Sequence, residues 1–351
     1  MRTTRRTLLR GAAAALAASA LAACGREKHP SPDVPRSGFD EDSTAEQVTE
    51  GIDLTGRLAV VTGCTSGIGF ETMRVLALRG AYVVGTSRSL ERAEAACRQV
   101  AGVTSPVALD LGSVESVLAC AAAIRTIGAP IDMLICNAGY RGGGNDIELV
   151  NGVEKHFAIN HLGHFLLVNR LLDRLYPARQ GRVVVVASRA SYRAAPDDGI
   201  RFDDLTLGDD YSDDTAYGQS KLANVLFAHG LAARLKGTRI TANSLHPGLI
   251  NTEIDRNVNR FLQFAFGALA AVSGKSIEEG AATTCYVATS PQLDATSGEY
   301  FEDCNAVRVE DSLHHDAVLS DTLWQLSASL LAPYLVDHAR PEQPAAGDAT
   351  G

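Results

Sequence analysis

Residues 58–69 read LAVVTGCTSGIG, a short apolar, β-branched run that ends in a turn with glycine at 63, 67 and 69. A helix is expected directly after it, with Met73, Val75 and Leu76 on its apolar side. A strand that passes through bare backbone into a helix lets N–H groups approach a phosphate while the helix N-terminus faces it. The spacing is G-x-x-x-G-x-G and not G-x-G-x-x-G, so the generic dinucleotide pattern is not met.

The same alternation continues outward. Ala81–Gly85 is expected as the second strand, Leu90–Val100 as helix, Ser105–Leu109 as strand leading into Asp110-Leu111, and Val114–Ile124 as helix. Ile131–Cys136 is the fourth strand and ends at Asn137-Ala138-Gly139. A long amphipathic region, Ile147–Leu175, comes before the fifth strand, Arg182–Ala187. Strands this continuously apolar are buried on both faces. The chain is therefore expected to be α/β, a single-domain, doubly wound parallel sheet of Rossmann type over residues 51–335, with ligands outside the carboxyl ends of its strands.

Further along, Thr215–Leu226 reads TAYGQSKLANVL and sets Tyr217 and Lys221 four residues apart on one helix face. A phenol with a reference pKa of about 10 exchanges protons poorly near neutrality. An ammonium about 4 Å away stabilises its phenolate by roughly 4 kcal/mol at an effective dielectric of 20. The pair can thus serve a general acid/base.

Composition is ordinarily globular, and the net charge of −9 argues against a nucleic-acid partner. No run of eighteen apolar residues occurs in the body, and the seven cysteines contain no C-x-x-C pair. The N-terminus carries Arg5-Arg6 ahead of a short Ala-rich apolar run, the twin-arginine export pattern, and Leu21-Ala22-Ala23-Cys24 resembles the lipobox of bacterial lipoproteins. Residues 1–23 are accordingly expected to be a signal peptide and Cys24 a lipid anchor at the bacterial cell envelope, outside the cytoplasm. Residues 24–50, rich in Pro, Asp, Glu, Ser and Gly, read as a solvated tether, and 336–351 as a disordered tail.

Thr62-Gly-x-x-x-Gly-Ile-Gly, Asn137-Ala-Gly and Tyr217-x-x-x-Lys221, in that order, resemble the short-chain dehydrogenase/reductase family over about residues 53–335. Asn160-His-Leu-Gly-His-Phe-Leu-Leu, Ser220-Lys-Leu-Ala-Asn-Val-Leu-Phe, Leu245-His-Pro-Gly and Ser297-Gly-Glu-Tyr-Phe look like its retinol-dehydrogenase and WW-domain-oxidoreductase branch. The resemblance implies a catalytic set of Asn160, which kinks its helix and holds a relay water, Ser188 on the substrate oxygen, Tyr217 as proton carrier and Lys221 beside it. Ser191 is the rival of Ser188. For the cofactor it implies Gly63, Ser66, Gly67, Ile68 and Gly69 in the turn, Asp110 and Leu111 near the adenine, and Asn137, Ala138 and Gly139 bracing the pocket. Pro247, Gly248 and Thr252 would contact the carboxamide, and Tyr217 and Lys221 the nicotinamide side.

The text after the second strand, Gly85-Thr86-Ser87-Arg88, holds no acid before Glu91. A carboxylate there suits a ribose hydroxyl, whereas a guanidinium pairs with a 2′-phosphate. NADP(H) is therefore expected, through Arg88 with Ser87 or Thr86 helping; NAD(H) is the alternative. Metal binding is not expected: the Asp-rich stretch of residues 197–214 lacks EF-hand spacing, and His161 and His164 read as packing or pocket residues. The apolar region 249–276 points to a hydrophobic alcohol, aldehyde or ketone, or else to a contact with a second copy, as in a homodimer, or with the bilayer. The function expected is hydride transfer between nicotinamide and such a substrate; the alternative is a catalytically idle nucleotide-binding or interaction module of the same fold.

Overall fold

The protein is described from a computed structural model over residues 26–142, 144, 146–208, 211–248 and 275–335. The expected signal peptide, Cys24, Thr252, most of the apolar region 249–276 and the tail lie outside the described residues. The strands are β1 (Lys28–Pro30), β2 (Leu58–Thr62), β3 (Tyr82–Ser87), β4 (Thr104–Ala108), β5 (Met133–Cys136), β6 (Gly181–Val186), β7 (Ile240–His246), β8 (Tyr300–Glu302) and β9 (Asn305–Val309). The principal helices are α1 (Gly67–Leu78), α2 (Leu90–Cys97), α3 (Val114–Arg125), α4 (Gly163–Leu171), α5 (Asp213–Arg234), α6 (Ile277–Thr289) and α7 (Ala317–Leu330).

Among the described residues the strands form one sheet in the order β1-β9-β8-β7-β6-β5-β2-β3-β4. From β4 to β8 every pairing is parallel; β9 and β1 close one edge antiparallel. All five residues of β2 are buried. Val60 packs into a core beneath α3, α4, α5 and α7, while Ala59 and Val61 pack into a second core beneath α1, α2 and α6. Helices thus cover both faces, and the strand order reverses between β2 and β5. The doubly wound expectation is met, and its switch point lies where Gly63 and Asn137 leave the sheet.

The structure divides one expected region and corrects another. The amphipathic region Ile147–Leu175 is not one element. It opens with a two-stranded hairpin, Leu149–Val150 against Val153–Glu154, turned by Asn151 and Gly152 at φ 53° and 80°. Asn-Gly with two positive φ values is the preferred two-residue hairpin connection. A wide π-type turn over Phe157–Leu162 follows and runs into α4.

Nor are the described residues 26–50 a tether. Lys28–Pro30 pairs with β9, and Thr44 and Gln47 form a reciprocal capping box that starts a helical turn over Ala45–Val48. Ala45 and Val48 are buried against α6 and α1, and Phe39 meets the Tyr286 ring edge-on at 5.8 Å. The few apolar side chains of a polar segment suffice to dock it because each meets a pre-formed surface. Removing residues 26–50 should lower stability by roughly 3 kcal/mol, the worth of one to two fully buried aliphatic side chains. A urea melt against the full chain measures this.

At the other end of the chain, α7 lies along α5. Trp324 stacks on Phe227 at 5.9 Å and 24° and meets Phe165 edge-on, while the Arg234 guanidinium sits 4.1 Å from its ring centre. Ser327 of the same helix hydrogen-bonds the buried His161, whose imidazole is held neutral by burial, at about 3.

Candidate active site

The carboxyl ends of β2 and β5 are tied by one hydroxyl. Thr62 Oγ1 accepts from the backbone N–H of Asn137 and of Ala138, each at 2.9 Å. Asn137 returns its amide to the carbonyls of Thr62 (2.8 Å) and Gly63 (3.3 Å). Gly63 and Gly67 take φ of +72° and +56°, which side chains disfavour. A β-carbon on Gly69 would fall onto the Gly63 carbonyl and the Asn137 amide. Ser66 makes no capping hydrogen bond to α1, while the half-buried Ile68 packs into the core below it. The turn is therefore an open cradle of backbone at a helix N-terminus, which suits a pyrophosphate.

On one side of this cradle lies the end of β4. Asp110 Oδ1 accepts from Gly112 N–H, its own N–H is held by Ser116, and Leu111 beside it is buried. Gly139 is exposed on the other side, next to half-buried Ala138. Arg88, just past β3, is exposed and Ser87 half-buried, so both can face a ligand. Thr86, one residue earlier, is fully buried.

The π-type turn places Asn160 where its side chain clamps the Tyr140 backbone: Oδ1 accepts from Tyr140 N–H (2.6 Å), and Nδ2 donates to Tyr140 O and to Ser220 Oγ, both at 2.9 Å. Ser220 passes its own proton to the carbonyl of Tyr217. The Asn160 carbonyl accepts from His164 Nδ1 at 3.0 Å. On its other side the imidazole meets Thr62 Oγ1 at 2.9 Å. Because Thr62 already accepts two N–H bonds, its hydroxyl proton goes to Nε2, and His164 carries its proton on Nδ1. Burial holds this ring neutral, at about 4. His164 thus couples the nucleotide turn to the Asn160 carbonyl, a role that its spacing in the sequence did not disclose.

Tyr217 and Lys221 sit one turn apart on α5, whose first turn is capped by Ser212. Both are buried, at 7% and 2% exposure. Lys221 Nζ lies 5.6 Å from the Tyr217 ring centre and donates to the carbonyl of Val186 at 3.0 Å. Val186 ends β6, two residues before Ser188, so this bond ties α5 to the strand end. Burial lowers the Lys221 pKa to about 8.

Ser188 is half-buried just past β6 and accepts from Ala190 N–H. Ser191, by contrast, is 2% exposed, donates to Ser188 O and contacts His314 Nε2. Of the two serines, Ser188 is the less buried and the nearer to the strand end.

Pro247 and Gly248 follow β7 half-buried, Gly248 at φ +104°. Cys64 and Cys136 are fully buried, their thiols pushed up by burial, Cys64 to about 12. Sequence reading missed two neighbours. Arg141 lies over the Tyr217 ring, and Glu302 fixes Arg189, the residue after Ser188.

The geometry agrees with the comparisons. Residues 57–198 match the short chain dehydrogenase family model. The chain is 40% identical over 311 residues to the chloroplastic short-chain dehydrogenase TIC 32 A of Brassica napus, covering 84% of this chain and 95% of that one. It is 37% identical to mouse retinol dehydrogenase 12 (81% and 89% covered) and 34% identical to the human WW domain-containing oxidoreductase (87% and 75% covered). Among solved structures, an uncharacterised protein from Mycobacterium paratuberculosis superposes with a TM-score of 0.64 at 32% identity, covering 81% of this chain and 97% of that one. The Pseudomonas aeruginosa RhlG/NADP active-site complex superposes with 0.57 at 25% identity, covering 71% and 95%. With this fold, these motifs and relatives matched over three quarters or more of their length, the chain belongs to the short-chain dehydrogenase/reductase family.

Proposed function

We propose that the protein is an NADP(H)-dependent oxidoreductase acting on a hydrophobic alcohol, aldehyde or ketone, with Tyr217 as general acid/base. The observation that carries this reading is the joining of Ser188, Tyr217, Lys221 and Asn160 through Val186 and Ser220, beside the glycine cradle. The cradle, Asn137–Gly139 and Lys221 would hold the coenzyme, and the nicotinamide supplies or accepts the hydride. The Ser188 hydroxyl donates to the substrate oxygen, and Tyr217 gives that oxygen its proton or takes it away. The Lys221 ammonium stabilises the phenolate, while Asn160 holds the Tyr140 backbone against α5. Likeness to a retinol dehydrogenase supports an apolar substrate. Turnover of a hydrophobic aldehyde and alcohol panel, followed by nicotinamide absorbance, tests the reading; no turnover across the panel would overturn it.

The preference for NADP(H) is assigned to Arg88. A charge-assisted bond to phosphate is worth about 1.5–3 kcal/mol. Arg88→Ala should therefore cut the NADP(H) over NAD(H) ratio of kcat/KM by about 10- to 150-fold. Equal use of both coenzymes by wild type, unchanged in the variant, would remove the assignment.

Export by the twin-arginine route and lipidation of Cys24 form a separate part of the proposal, supported by the N-terminal sequence alone. With β1 beginning at Lys28, a lipid on Cys24 would keep the body within about 14 Å of its attachment point. Palmitate labelling of wild type but not of Cys24→Ala is the expected result.

A further inference from the structure

Lys221 is one cation near Tyr217, and the structure holds another. The loop after β5 carries Arg141 over the Tyr217 ring, with its guanidinium carbon 4.9 Å from the ring centre. The arginine is half-buried and pairs with Asp214 at 3.1 Å. Asn160 fixes the loop from below through both backbone groups of Tyr140, the residue before Arg141. The arginine therefore extends from an anchored stretch of backbone.

We propose that Arg141 stabilises the Tyr217 phenolate and, together with Lys221, sets the pH range in which the tyrosine exchanges its proton. The inference rests on the acid/base role given to Tyr217 above. A cation over a neutral phenol ring meets only the ring quadrupole. Once the phenol loses its proton the same cation meets a full negative charge, so the contact favours the ionised form. Arginine keeps its charge at every working pH. Burial lowers the Lys221 pKa to about 8, so Arg141 supplies the cation that is less sensitive to pH.

Among the described residues, other charged and titratable groups lie near the ring, Tyr211 and the 3.5 Å contact of His156 with Asp213 among them. Asp213 and Asp214 lie on the first turn of α5, and both oppose ionisation when charged. Burial pushes the Asp213 carboxyl up, which weakens its opposition, and Asp214 is exposed, its side chain 76% accessible, and screened by water. His156, 6.1 Å from the Tyr217 ring, accepts from Gly142 N–H on Nε2 and gives its other nitrogen to Glu154 at 2.6 Å, forming a buried pair. The Tyr140 ring lies tilted against His156, centroids 4.9 Å apart, and Lys155 lies over the Tyr140 ring.

The test is a pH profile of kcat/KM with NADP(H) and a hydrophobic aldehyde or alcohol, on full-length wild type, Arg141→Gln, Arg141→Lys and Asp214→Asn. An opposite charge at this range moves a pKa by one unit or more. The limb assigned to Tyr217 should move to higher pH by about one unit in Arg141→Gln and stay near wild type in Arg141→Lys and in Asp214→Asn, whose carboxylate is screened. In parallel, the phenolate absorbance of each variant, minus that of the same variant carrying Tyr217→Phe, titrates the tyrosine without turnover. An unmoved limb and an unmoved absorbance titration in a folded Arg141→Gln protein would overturn the proposal. Activity that survives Tyr217→Phe would instead sink the acid/base assignment, and the absorbance titration would still report on Arg141.

Discussion

Replacing Tyr217 with phenylalanine should cut kcat by about 10²- to 10⁴-fold, the contribution of a positioned general acid/base. The change deletes one oxygen from a ring that is already buried and contacts His156 edge-on and Arg141 through its face. Those contacts belong to the ring and persist in the variant. Lys221 keeps its bond to Val186, so the tie between α5 and β6 stays in place. Coenzyme affinity and melting temperature should accordingly change little while turnover collapses. Equal losses in coenzyme affinity and turnover would instead assign Tyr217 to binding.

The second large effect is on stability. Glu302, at the end of β8, is 2% exposed and accepts four hydrogen-bonding side chains. Tyr192 and Tyr300 donate to one carboxylate oxygen at 2.9 and 3.2 Å; Lys28 and Arg189 donate to the other at 2.7 and 2.9 Å. Glu302→Ala leaves two cations and two phenols turned toward an empty space, and breaking a buried pair of this kind costs about 3–5 kcal/mol. Burial alone would raise the carboxyl pKa, but Arg189 and Lys28 outweigh it and hold the group at about 2. Since the folded pKa lies below the unfolded one, the stabilisation is full above about pH 4.5 and is lost as pH falls through about 2. Its size is about 3 kcal/mol, at 1.36 kcal/mol for each unit. Urea melts of wild type across that window should show the loss. Glu302→Gln should be weaker throughout and flatter with pH. Arg189 follows Ser188 directly, so the same carboxylate also steadies the turn that carries the serine.

Much of this was legible in the sequence, and the limits have physical causes. Strand β2 runs Leu58–Thr62 as its apolar text indicates, because a run buried on both faces has no competing pattern. The Gly63, Asn137 and Ser188 positions follow from strand ends, which chain order places at one edge of the sheet, and Tyr217 from the helical spacing to Lys221. Residues 149–154 read only as part of an amphipathic region because hydrophobic spacing hides the Asn151-Gly152 dipeptide, a local turn signal. Residues 28–48 looked too polar to fold; their support comes from β9 and α6, more than two hundred residues away. Glu302 was invisible for the same reason, since its partners come from β1, β8 and the turn after β6. His164 and Arg141 act through three-dimensional neighbours that no spacing rule discloses.

The stacking of Trp324 on Phe227 has a practical consequence. Trp324 is the chain's single tryptophan, set among nine tyrosines. Excited on the red side of the tyrosine band, its emission comes from one known place, where α7 lies on α5. Undocking of α7 would strip away Phe165, Phe227 and Arg234 together and shift that emission toward longer wavelengths as water reaches the indole. The protein thus carries a built-in optical gauge of its C-terminal helix. Read beside circular dichroism, that gauge would separate release of α7 from melting of the nine-stranded sheet.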